Sequence, residues 1–175
     1  MMADPAQRFE QILLPHLAAG YNLARWLTRN DHDAEDIVQE AYLRAFRSFD
    51  RYRGGDPRAW LLTIVRNTCY TWLRQNREPA ISAADAVDHD DVAADPETEP
   101  ETMWLRQADG QLLRAGLEAL ALEFREALVL RELEGLSYKE IADVLDVPLG
   151  TVMSRLSRAR KQLHAWLARH MKEGA

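Results

Sequence analysis

This sequence is defined first by what it lacks. It has one cysteine, Cys69, which excludes an internal disulfide and suits a reducing compartment. No apolar run approaches the roughly 18 residues that a membrane span requires. The start, MMADPAQRFE, lacks the basic-then-apolar layout of a secretory signal. Neither a Walker nor a dinucleotide glycine pattern occurs, and Gly54-Gly55 reads as a turn. No stretch alternates strictly enough for a half-buried strand. His16, His32, His89, His164 and His170 are scattered, and Cys69 has no histidine or acid close in sequence to activate it. His32 and the acids around it read as a polar helix start rather than a metal site. No catalytic residue, metal or cofactor is expected, and the chain reads as soluble and cytoplasmic.

What is present is segregated charge. Residues 1–77 carry 11 arginines and 9 acids, residues 78–101 carry nine acids and no Lys or Arg, and residues 102–175 carry 11 bases and 10 acids. The overall net charge of −6 therefore says little about partners, because local fields steer association. The acidic segment EPAISAADAVDHDDVAADPETEPE has three prolines and no aromatic residue. It buries too little apolar surface to offset its ordering entropy, so it reads as a flexible linker or an acidic solubilising loop.

The flanks read as helices. In 9–29, Ile12, Leu13, Leu17, Leu23, Ala24 and Leu27 fall near helical spacing, with Pro15 and Gly20 expected to bend or interrupt it. Residues 33–48 begin with acids and end with Arg44 and Arg47, complementing a helix dipole. Residues 58–76 repeat the pattern through Leu61, Val65, Thr68 and Trp72; core packing is the reading for Trp60 and Trp72. Beyond the acidic segment, helices are expected over 104–120 and 122–134, the second closed by Gly135. Ser137 and Glu140 form a capping-box pattern, and a short helix stops near Asp146. Pro148 suits the first turn of a last helix over about 148–170. A short helix, a tight turn and a longer helix make a helix-turn-helix. The expected fold is all-α, with two small helical domains joined by the linker.

Two basic surfaces carry the function. On the last helix, Val152, Leu156, Ala159, Leu163 and Leu167 form the buried stripe, and Thr151, Ser154, Arg155, Arg158 and Gln162 lie opposite. Hydroxyls near a helix start and guanidiniums one turn later suit duplex DNA, since they bind phosphate and base edges. Complementing the helix dipole accounts for Lys161, Arg169 and Lys172 without DNA. On 58–76, Arg66, Tyr70, Arg74 and Arg77 share an edge beside Asn67 and Thr71. Aromatic, amide and arginine groups interleaved in this way suit unpaired bases.

The stretches DAEDIVQEAYLRAF (33–46), RAWLLTIVRNTCYTWLRQNR (58–77) and FREALVLRELEGLSYKEIADVLDVPLGTVMSRLSRARKQL (124–163) closely resemble bacterial sigma-70 factors of the extracytoplasmic function (ECF) group. The resemblance covers about four-fifths of the chain. It implies a sigma-2 domain (1–77) for core polymerase binding, −10 recognition and melting, an acidic linker (78–103), and a sigma-4 domain (104–175) for −35 recognition. It implies that Asp36, Gln39 and Glu40 meet the β′ clamp helices of core RNA polymerase, with the β flap as a further partner of the factor. It implies that the loop from Phe49 to Arg58 captures a flipped −10 base, and that Arg53, Arg66, Asn67, Tyr70 and Arg74 contact the −10 element. Thr151, Met153, Ser154, Arg155, Ser157 and Arg158 are implied on the −35 element, Arg155 on phosphate. Promoter DNA and an anti-sigma factor are the remaining implied partners, with no membrane insertion. Two positions depart from the family: Ala121 stands where proline is frequent, and Met153 where a base is common. A stand-alone helix-turn-helix regulator is the competing reading; it needs a dimer interface and a ligand or phosphorylation domain, neither of which the sequence shows.

Linker length bears on this expectation. Residues 78–103 span roughly 85–95 Å fully extended, against about 28 Å as a flexible coil. Promoter elements two helical turns apart need roughly 70 Å, so the linker must be drawn out, and its acids suit a basic channel of the polymerase.

Overall fold

The computed structural model describes residues 3–76 and 110–173, all of whose regular elements are helices. The N-terminal body contains α1 (Pro5–Leu13), α2 (Leu17–Thr28), α3 (Asp31–Arg47) and α4 (Pro57–Asn76). The C-terminal body contains α5 (Gly110–Ala119), α6 (Leu122–Leu128), α7 (Tyr138–Leu145) and α8 (Leu149–Glu173). Residues 104–109 of the expected helix 104–120 and the whole acidic segment lie outside the described residues.

Proline and glycine in the first helical stretch act differently. Pro15 sits in a single 3₁₀ turn, Leu14–His16, that separates α1 from α2. Gly20, expected to bend or interrupt its helix, lies inside an unbroken α2. A Cβ there would sit 3.2 Å from Val65 Cγ2, so the glycine lets α2 pack closely on α4. The core of this body is Leu13, Leu23, Leu27, Ile37, Ala41, Leu61, Leu62 and Val65, all essentially inaccessible. Asn30 caps α3, its Oδ1 accepting from the Asp33 N–H at 3.0 Å.

The loop after α3 is tied to this core by aromatic rings. Phe9 meets Tyr42, Phe46 and Phe49 edge-on at 4.8, 5.1 and 5.3 Å between centroids. Phe49 stacks on Tyr52, and both rings contact Trp60. Trp60 and Trp72 are half-buried and pack against the core, as expected. Gly54 and Gly55 have φ of 84° and 100°, which explains the glycine pair at the loop's tip.

In the C-terminal body, α6 continues into a π-helical turn, Val129–Leu133, where the Glu134 N–H reaches back to Val129 O at 3.0 Å. Gly135 ends it with φ of 68°. The Ser137–Glu140 capping box forms as expected: Ser137 Oγ accepts from the Glu140 N–H at 3.1 Å, and Glu140 Oε1 accepts from the Ser137 N–H at 3.0 Å. Ser137→Ala removes one half of it and should cost about 1 kcal/mol, read as a lower urea midpoint; an unchanged midpoint would refute the cap's contribution. Asp146 takes a left-handed conformation, φ 54°, and makes the turn that leads into α8. The α8 stripe Val152, Leu156, Ala159, Leu163 and Leu167 is fully buried, as the spacing predicts.

Candidate nucleic-acid interface

The first surface starts from α4, which places Asn67 outward and Arg66 and Tyr70 on an adjoining edge. Asn67 lines a cavity of about 310 Å³ together with Arg44, Arg47, Ser48, Ile64 and Thr68. Its volume lies at the small-ligand end of the range for binding sites. Two guanidiniums, an amide and two hydroxyls beside the Ile64 side chain suit a nucleobase with its attached phosphate. Arg44 and Arg47 were not among the expected site residues, because a basic last turn is fully explained by the helix dipole. Arg44 is shared with Glu40, whose Oε1 accepts from its Nη2 at 2.8 Å. Arg53 is exposed beside Gly54 at the loop tip, and Arg74 is exposed at the far end of α4. Arg74 Nε donates to Tyr70 O at 3.4 Å.

Arg66 and Tyr70 are not free. Arg66 lies over the Tyr70 ring, 3.9 Å from its centroid. Arg66 Nε and Nη2 donate to Glu126 at 3.1 and 3.3 Å, and Tyr70 Oη donates to Glu126 Oε1 at 2.8 Å. Glu126 belongs to α6, so these contacts join the two bodies. Burial pushes the Glu126 carboxyl above its ordinary value against the pull of Arg66, and burial likewise raises the Tyr70 phenol well above its own. Cys69, beneath the same edge, is pushed up by burial to about 12 and is therefore a packed thiol rather than a nucleophile.

The second surface is the N-terminal half of α8. Thr151, Met153, Ser154, Arg155 and Arg158 are half-buried on it. Ser157, expected to face outward with them, is only 7% exposed: it falls next to the Leu156 stripe and turns into the body. Arg155 Nη1 lies 4.0 Å from Glu126 Oε1. Arg160 departs further from the picture of a basic face. It is 2% exposed, and its Nη2 donates to Glu132 Oε1 at 2.9 Å. The partner of this arginine comes from the turn after α6, 28 positions upstream, so the acid is close in space and distant in sequence.

A third set, Asp36, Gln39 and Glu40, is exposed on one side of α3, with His32 3.8 Å from Asp36. Among the described residues no cluster of three or more His, Cys, Asp or Glu side chains could hold a metal ion. No described helix is long and apolar enough to cross a membrane.

The segments that carry both surfaces match known families. Residues 13–78 match the family description Sigma-70 region 2, and residues 110–163 match Sigma-70, region 4. The chain is 40% identical over 167 residues to the ECF RNA polymerase sigma factor SigE of Mycolicibacterium smegmatis, covering 95% of this chain and 64% of that protein's length. It is 39% identical over 137 residues to the ECF RNA polymerase sigma-E factor of Escherichia coli K12, covering 75% of this chain and 72% of the relative. Among solved structures it is similar to the sigma factor RpoE of Bartonella quintana in complex with the anti-sigma factor NepR. That match has a TM-score of 0.70 and 32% identity, and covers 93% of this chain and 98% of that one. It is also similar to CnrH in complex with the cytosolic domain of CnrY, with a TM-score of 0.64 and 26% identity over 94% of this chain and 90% of that one.

Proposed function

Because this chain belongs to the ECF RNA polymerase sigma factors, we propose that it is a dissociable, non-enzymatic subunit that carries core polymerase to a subset of promoters. Residues 1–77 bind core and read and melt the −10 element, residues 78–103 link, and residues 104–175 read the −35 element. The observation that carries this reading is the pairing of two unlike DNA surfaces on one chain. One is the helix-turn-helix of α7 and α8; the other is an open pocket in which Asn67 stands beside Arg44 and Arg47. A base extruded into that pocket offsets the few kcal/mol that unstacking costs, so capture and melting are one step. Asp36, Gln39 and Glu40 face the polymerase clamp helices, and the C-terminal body meets the β flap. The factor works in the bacterial cytoplasm, where polymerase and chromosome are, and an anti-sigma protein is its natural regulator, a reading supported by the complex of the similar RpoE with the anti-sigma factor NepR.

A stand-alone regulator of the helix-turn-helix type is not favoured, since it leaves the Asn67 pocket without a task. Run-off transcription with purified core polymerase and no other sigma factor separates the two. Promoter-specific transcripts support the proposal, and DNA binding without transcripts supports the regulator. Asn67→Ala should leave core binding intact and lower open-complex formation about tenfold, the size of a lost base contact. Undiminished permanganate reactivity over the −10 region would remove Asn67 from that role.

A further inference from the structure

Among the described residues, Glu126 touches candidate DNA groups of both bodies. Its carboxylate is completely buried, yet Arg66 and Tyr70 lie on α4 and Arg155 lies on α8. Carboxylate oxygens accept from guanidinium in the same fork geometry as phosphate oxygens, so Glu126 occupies Arg66 as a strand of DNA would. Around it the two bodies meet through further polar contacts. Arg58 Nη1 donates to Glu134 O at 2.7 Å, Arg29 Nη1 to Glu118 O at 3.2 Å, and Arg125 Nη2 to Leu27 O at 3.3 Å. Helix α4 also packs against α7, and α2 against α6.

We propose that the free factor closes on itself, with Glu126 as a latch that hides the −10 residues Arg66 and Tyr70 and engages Arg155 until DNA and polymerase displace it. The masking of promoter contacts rests on the site reading of the preceding section; the latch itself does not. An ion pair of this kind suits a switch. Burying the carboxylate forfeits hydration that its partners only partly return, so the contact fixes a geometry without adding much stability. Opening re-solvates Glu126 and returns Arg66 to water or to phosphate, so promoter DNA competes directly for the same donors.

Charge reversal tests the latch in the full-length free protein. Glu126→Arg sets three guanidiniums together, and Arg66→Glu sets two carboxylates together; each should raise the radius of gyration measured by small-angle scattering. The double exchange, Glu126→Arg with Arg66→Glu, should restore the compact value, and far-UV circular dichroism verifies that helicity is kept. If Glu126→Arg unfolds the C-terminal body, Arg66→Glu alone still decides compactness. Masking is read with a labelled single-stranded oligodeoxynucleotide carrying the −10 region of a promoter found by run-off transcription. A closed state that leaves about a tenth of the molecules competent predicts about tenfold tighter binding by Glu126→Arg. Arg29→Ala breaks the contact with Glu118 and removes a cation, so a smaller gain there cannot come from added charge. A Glu126→Arg protein that stays compact, or that expands without binding the oligonucleotide more tightly, overturns the proposal, as does an Arg66→Glu protein that stays compact. Arg66→Glu removes a −10 contact and is read for compactness only. Asn67→Ala in holoenzyme reports on the site reading independently. If only that reading fails, Asn67→Ala is silent while the reversals still expand; if only the latch fails, the reversals stay compact while Asn67→Ala still impairs opening.

Discussion

Leu163→Ala is expected to destabilise the C-terminal body by about 2–5 kcal/mol, the range for deleting a fully buried leucine side chain down to its Cβ. Leu163 is inaccessible to solvent and lies on the stripe of α8 that packs against α5 and α6. Its Cδ1 would stand 2.7 Å from a Cβ added at Gly116, and the Trp166 ring would stand 3.0 Å from the same Cβ. Gly116 is thus a recess in α5 that Leu163 fills, and a recess whose wall is helix backbone cannot collapse around a truncated side chain. The cost should therefore fall toward the upper part of the range. Leu163→Met, which keeps the volume, should cost less than about 1.5 kcal/mol. Urea unfolding of both variants checks this through the midpoint at unchanged slope. A loss under about 1 kcal/mol for Leu163→Ala would show that the recess relaxes.

What could be read in the sequence was whatever depends on near neighbours. The helical stripes, the Ser137–Glu140 box and the left-handed stop at Gly135 follow from residues within four positions of one another, and the structure has them. Gly20 was misjudged because its reason is Val65, 45 positions away, and local propensity sees only the missing side chain. Asp146 in the left-handed region is similar: aspartate tolerates that conformation, but only the packing of α7 on α8 demands it. The sites divide in the same way. Sequence spacing put Asn67, Arg66 and Tyr70 on adjoining edges of one helix. It could not supply Arg44 and Arg47, which enter the Asn67 pocket from α3. Nor could it find Glu126, whose significance lies wholly in partners 60 and 56 positions upstream. Charge counted along the chain also overstated the basic face of α8, since Glu132 satisfies Arg160 across the fold.

That last point isolates Arg158 and sharpens what its removal should do. Of the three arginines in the middle of α8, Arg155 faces Glu126 and Arg160 is buried on Glu132. Arg158 has no acidic partner among the described residues and is half-buried, so its fork is uncommitted and its stem is held against the body. A guanidinium held in this way on the outward side of a recognition helix is pre-organised for two parallel hydrogen bonds to one guanine edge. Arg158→Ala in holoenzyme should therefore cost about 1–3 kcal/mol of discrimination at one −35 position. Competition between promoters differing at single −35 bases, at fixed salt, measures it directly. The expected pattern is a preference flattened at that position, with the dependence of log affinity on log salt nearly unchanged. If all sequences weaken together and the salt slope falls by about 1, Arg158 is on phosphate instead. Met153, one turn before Ser157 and half-buried on the same helix, has no charge to offer. On the proposed −35 reading, Met153 offers neither a guanine nor a phosphate contact, and discrimination is expected to rest more heavily on Arg158.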